Sequence, residues 1–196
     1  MSRLRLAVGL LFAVFTFASI AVYAQDTSSE SISTESTKTL SQRLFGSWFL
    51  HKADVTKDGV STNFYGEDPN GMLCFDESGN YSLMVMQSSP PPPKFESGEK
   101  NNGLPCEYKL TVHRSIANYG KYEVDLNDDF YKRVLVLKIK ASTFANWDGI
   151  TQHRPFKVYR SEDGMTEYLE YIVPNASSGG QAALIWKRTV EAEQDK

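Results

Sequence analysis

From Leu44 onward, apolar and polar side chains alternate in short runs, each bounded by turn residues. Period-two alternation puts successive side chains on opposite faces of a strand. GSWFLHKADV leads into the turn TKDG, and GMLCF and YSLMVM are joined by DESGN. KYEVDL, YKRVLVLKI, ITQHRPFKVYR, TEYLEYIV and AALIWKR follow. Gly79 provides the DESGN hairpin with a residue free to take positive φ. In KYEVDL, Tyr122, Val124 and Leu126 share one face, with Glu123 and Asp125 on the other. In YKRVLVLKI, Leu135, Leu137 and Ile139 share a face. In YSLMVM, either Tyr81, Leu83 and Val85 or Ser82, Met84 and Met86 line the interior. Evenly spaced short strands with no long helical run between them predict an all-β antiparallel sandwich or barrel.

Two segments break this rhythm. SSPPPPKFESGEKNNG, residues 88–103, is proline-rich and then polar, which predicts a loop with polyproline II character. LPCEYKLTVHRSIANYG follows, with Tyr108, Val112, Ile116 and Tyr119 at helical spacing. Pro105 suits a first helical position and Gly120 a C-terminal cap. One short helix is expected here, packing its apolar stripe on the sheet, with His113 and Arg114 toward solvent.

The N-terminus reads differently. Arg3 and Arg5 precede an apolar run from Leu6 to Ile20, and Val22-Tyr23-Ala24 is a small-x-small cleavage sequence. This is the pattern of a secretory signal peptide over residues 1–24, cleaved before Gln25. Residues 25–40, QDTSSESISTESTKTL, have almost no apolar side chains to offset ordering entropy, and are expected to be a disordered leader. The folded domain then occupies 41–190, followed by a polar tail at 191–196. No later stretch is apolar for long enough to cross a bilayer. The expected location is periplasmic or secreted.

Composition narrows the function classes. The formal net charge is −3, with acids and bases mixed along the chain. That argues against nucleic-acid binding, which needs a basic face. Tyr and Phe number 10 and 11, which favours strands and aromatic-lined pockets. The two cysteines, Cys74 and Cys106, leave two readings open: a disulfide, which an oxidising compartment permits, or two thiols behaving as small hydrophobes. Two cysteines and few histidines without ligand spacing argue against a structural zinc site. No metal or cofactor is expected. There is no nucleophile elbow, phosphate loop or zinc-binding helix, so no catalytic residue can be named.

The segments LFGSWFLHKADV, YGEDPNGMLCFDESGNYSLMVM, NYGKYEVD, FANWDGITQHRPFKV and ALIWKR occur in this order and spacing. Together they resemble the lipocalin-like domain proteins, a bacterial and fungal branch of the calycin barrels, over about residues 44 to 189. The most specific piece is the Gly-x-x-Pro-x-Gly-x-Leu…Gly-x-Tyr-Ser pattern in the second segment. The resemblance implies an up-and-down antiparallel β-barrel of roughly eight to ten strands with no free edge. It also implies an internal cavity for one small apolar molecule. In lipocalins the Trp of Gly-x-Trp lies across the barrel floor and an Arg of the last strand stacks on it. Gly46, Trp48 and Arg188 match those positions, which implies structural roles for all three. Such a contact is worth about 0.5–2 kcal/mol.

The stretch NWDGITQHRPF, residues 146–156, carries the candidate chemistry. Asn146, Trp147, Gly149, Gln152 and Arg154 match an Asn-Trp-x-Gly turn and a Gln-x-Arg strand of the same family. Alternation groups Gln152 and Arg154 with Phe156 and Val158, so these four should point inward and His153 outward. An inward arginine needs a partner. It is either part of an internal ion pair or a Gln-Arg-Tyr network, or it anchors a carboxylate, enolate or phenolate on an otherwise apolar ligand. Tyr122 is the candidate hydrogen-bonding group in the cavity. The candidate ligand site is therefore Gln152, Arg154, Phe156 and Tyr122. A small-molecule carrier leads. A cofactor-free isomerase or cyclase using the same cavity is one alternative, and a filled barrel that binds a partner through the 88–103 loop is another.

Overall fold

The computed structural model describes residues 37–128 and 131–190. The signal peptide, the leader up to residue 36 and the polar tail lie outside the described residues. A helix, α1 (Thr37–Leu44), precedes β1 (Gly46–Lys57), β2 (Val60–Thr62), β3 (Asn70–Phe75) and β4 (Asn80–Met86). A second helix, α2 (Pro105–His113), leads into β5 (Ser115–Asp125) and β6 (Val134–Ser142). A 3-10 turn at Ala145–Trp147 then joins β7 (Thr151–Arg160), β8 (Thr166–Val173) and β9 (Gln181–Thr189).

Each strand from β3 to β8 pairs antiparallel with the next in the chain. β1 pairs with β3 through Gly46 to Phe49 and with β9 through Phe49 to Thr56, which closes an eight-stranded up-and-down barrel. β2 is an extra short strand on the end of β1. Closure leaves these eight strands no unpaired edge. The inward faces form one core, with Leu73, Leu83, Val85, Leu135, Leu137, Leu169 and Trp186 among its buried residues. On β4 it is Tyr81, Leu83 and Val85 that point inward, while Met84 and Met86 are exposed. On β1 the inward set changes phase, from Trp48 and Leu50 to Ala53 and Val55. The register slips between Leu50 and Lys52, so a bulge absorbs His51 and turns the later residues over.

The helical segment differs from expectation. α2 begins at Pro105, as predicted, but ends at His113. Residues 115–120 are strand, because β5 pairs with β4 along seven residues from Ser115 to Lys121. Tyr108 and Val112 are exposed, so the helical stripe stays out of the barrel core, with Tyr108 packed edge-on against Phe95 of the preceding loop. Gly120 is not a helix cap. A Cβ there would lie 2.0 Å from the Lys138 carbonyl oxygen, where the β5–β6 register slips. The close approach of two backbones demands glycine. Glu107 holds the start of α2, accepting hydrogen bonds from the backbone N–H of Leu104 at 2.6 Å and of Glu96 at 2.9 Å.

Ordered structure also begins earlier than residue 41. Leu40 and Leu44, four apart on α1, are both fully buried. They cover one end of the barrel, which offsets the ordering cost of a short helix that would be marginal alone. Of the two readings left open, the structure has the thiol one: Cys74 and Cys106 are not joined. Cys74 lies in β3 with its sulfur 3.4 Å from Ser47 Oγ, and Cys106 is exposed on α2.

Candidate functional site

The end of the barrel beneath α1 is closed by charge as well as packing. Trp48 lies fully buried and donates from Nε1 to the Leu44 carbonyl at 2.8 Å. Arg188 stacks on its ring and donates to the carbonyls of Phe45 and Arg43 and to Glu167. Glu167 is buried and also takes Arg43, at 3.0 Å. Gly46 enters this corner at φ 99°, where a Cβ would meet the Arg188 guanidinium at 3.7 Å. Every charge here has a partner, which is the arrangement of a structural plug.

The interior is different. Arg154, on β7, is 1% exposed. Its Nε and Nη2 donate to Gln152 Oε1, at 3.2 and 2.6 Å. Its guanidinium carbon lies 4.9 Å from the Tyr171 ring centroid. Among the described residues no acceptor reaches Nη1, and the two buried carboxylates, Glu107 and Glu167, are engaged elsewhere. The guanidinium is thus a buried cation with a neutral amide and a ring for company. Among the described residues Asn118 Nδ2 has no hydrogen-bond partner, and the Tyr171 hydroxyl and Trp186 Nε1 make no well-formed bond, although Trp186 and Arg154 lie near enough to that hydroxyl to pull its pKa down as hydrogen-bond donors. The interior therefore has spare donors and one uncompensated positive charge.

Burial keeps the interior phenols protonated. It raises the Tyr171 hydroxyl, with Arg154 pulling the other way. It raises Tyr81 likewise, again against Arg154, and Tyr81 donates to Asn118 Oδ1 at 2.9 Å. Burial, helped by nearby Tyr171, pushes Tyr65 up to about 12.

Arg154 and Tyr171 line a small cavity of about 30 Å³, walled by Leu83, Val85, Trp147 and Leu184. That is room for one or two waters. Beside it, at the end of the barrel away from α1, lies a second pocket of about 160 Å³. Phe64, Val112 and Phe144 are among its lining residues.

Of the four residues expected to bind ligand, the structure brings Arg154 and Gln152 together. Phe156 is buried in the core but does not line the cavity. Tyr122 does not line this cavity: its hydroxyl donates to the Asp76 carbonyl at 3.1 Å, and its ring packs edge-on against Phe75. The β3–β4 turn holds it. His153 is exposed, as alternation predicted. Sequence reasoning missed Asn118, Tyr171 and Trp186. Asn118 was hidden by reading 104–120 as helix; the alternation Ile116, Asn118, Gly120, Tyr122 would have turned it inward. Among the described residues no group of three His, Cys, Asp or Glu side chains is placed to hold a metal.

The sequence profile of the lipocalin-like domain family matches residues 45–189. No curated protein shows a significant match to the chain.

Proposed function

The chain belongs to the lipocalin-like domain family, and on that premise we propose that it binds a small, largely apolar molecule bearing an acidic group, with Arg154 as the interior anchor. The observation that carries this reading is the unpaired Nη1 of a fully buried guanidinium that lines a cavity. A buried charge without a counter-charge is costly. A carboxylate, enolate or phenolate would supply both the missing acceptor and the missing charge. Leu83, Val85 and Leu184 offer the rest of the molecule an apolar wall. The basic and then apolar N-terminal sequence ending in Val22-Tyr23-Ala24 supports export. The ligand would then be met in the periplasm or outside the cell.

The cavity volume favours a second reading. A space of about 30 Å³ is far below the 300–1,000 Å³ usual for small-molecule sites. On that reading the barrel is filled by its own side chains and serves a protein partner. Native mass spectrometry of the protein purified from its own host without detergent separates the two. A reproducible excess mass that is lost in Arg154→Met supports the anchor. No excess mass, with no uptake of apolar acids by the purified protein, sinks it in favour of the filled barrel.

A further inference from the structure

The small cavity and the pocket beside it are not independent. They share Tyr65, Ile116, Ser177 and Ser178 as a common wall. The aromatic rim joins them too: Phe144 faces the outer pocket and packs edge-on against Trp147, which faces the cavity. Most of this wall is carried on connections and not on mid-strand positions. Tyr65 sits in the β2–β3 connection, Ser177 and Ser178 in the β8–β9 connection, and Ile116 is the second residue of β5. A molecule anchored at Arg154 is therefore separated from the outer pocket by a single layer of side chains.

The two spaces differ in chemistry. The inner one holds a cation and a phenol without acceptors. The outer one is lined by Phe64, Val112 and Phe144, with His113 packed edge-on against Phe64. Alone, neither has the volume of an ordinary binding site. Joined by displacement of the Tyr65 side chain, they make one elongated site with a donor-rich head and an apolar tail.

We infer that the outer pocket is the tail subsite of the same ligand, and that the ligand class is a short amphipathic acid. Its carboxylate lies at Arg154 and Tyr171, and its alkyl or aryl tail passes Tyr65 and Ile116 to lie against Phe64, Val112 and Phe144. This rests on the Arg154 anchor proposed above and adds the direction and chemistry of the rest of the molecule. It also makes Tyr65 a specificity-determining residue, because its position sets whether the two spaces communicate.

The test is isothermal titration calorimetry of the whole exported chain with butanoate, hexanoate, octanoate and 3-phenylpropanoate, and with the matching alcohols. Burying each added methylene should tighten binding by about fourfold until the outer pocket is full. Val112→Trp, at an exposed position on α2, fills the outer pocket from its rim without touching the barrel core. It should weaken octanoate at least tenfold more than it weakens butanoate. If acids bind and Arg154→Met abolishes binding, but neither tail length nor Val112→Trp matters, the tail subsite is overturned and the anchor stands. If tail length and Val112→Trp matter but alcohols bind as tightly as acids, the anchor is overturned instead. If none of these molecules binds, both are overturned.

Discussion

The guanidinium of Arg188 lies 4.0 Å from the centroid of the Trp48 ring, over its face. The same side chain donates to Glu167, to the Arg43 carbonyl in the last turn of α1 and to the Phe45 carbonyl between α1 and β1. The last strand is thereby tied to the first strand and to the helix beneath the barrel. Arg188→Ala leaves the Glu167 carboxylate buried with Arg43 as its remaining cation in this corner. The expected cost is about 2–3 kcal/mol, since charge-assisted hydrogen bonds and the ring contact are lost while Arg43 still compensates Glu167. Arg188→Lys should recover less than half, since an ammonium cannot fork between carboxylate and carbonyls or stack on the indole. Urea unfolding measures both. A cost below about 1 kcal/mol for the alanine variant would refute the closing role, being the size of an ordinary surface pair.

Arg154 makes the opposite prediction. Among the described residues its charge has no carboxylate partner, so removing it should help the ligand-free fold. Arg154→Met keeps most of the stem volume and should stabilise by about 1–3 kcal/mol. For a chain of this size each kcal/mol raises the melting temperature by about 2–4 °C. Gln152→Ala should do the reverse, because it takes away the acceptor of both Nε and Nη2. Thermal unfolding of the two variants checks the pair of signs. A destabilised Arg154→Met would show that the Tyr171 contact and the Gln152 bonds already compensate the charge.

Alternation made most of the barrel legible, since each strand buries one face and a one-residue slip would expose it. Arg154, Phe156 and Val158 point inward for that reason. The rule failed where geometry departs from period two. The bulge at His51 changes phase within β1, and no residue type in LHKADV marks it. At 115–120, apolar residues at helical spacing concealed a strand whose pairing with β4 decided the outcome. α1 was missed because its two buried leucines sit at the end of a Ser/Thr-rich run, where composition pointed to disorder. The candidate site was half legible. A Gln-x-Arg pair can be read along one strand, but Tyr171 and Asn118 come from β8 and β5. Only the closed sheet brings such residues to one interior.

The thiols are separable by reactivity. Cys106 is exposed on α2, whereas Cys74 is half-buried with its sulfur against Ser47 Oγ. Thiolate exchange needs access. A disulfide-exchange reagent should label Cys106 quickly and Cys74 slowly, and denatured protein should titrate for both. Cys106→Ser should abolish the fast phase with little change in stability, since it buries nothing. Failure of the denatured, unreduced protein to titrate would show instead that the two are joined.

Alkaline pH should unfold the barrel through its phenols. Burial raises Tyr65 and Tyr122 from 10.0 to about 12, with Tyr171 adding for the first and Asp76 for the second. Tyr81 and Tyr171 shift in the same direction. Below pH 10 these groups hold their protons in both states and their contribution is intact. Between pH 10 and about 12 the unfolded chain loses protons that the folded chain keeps. The unfolded state then binds fewer protons, and stability falls as pH rises. Urea unfolding at intervals from pH 8 to 12 should show this decline. Tyr65→Phe removes one titrating group and should flatten it. Tyr122→Phe should flatten it too, but from a lower starting stability, since the bond to the Asp76 carbonyl is lost. A double variant with an unchanged slope would mean that the decline comes from other groups, and the buried phenols would not be what limits the barrel at high pH.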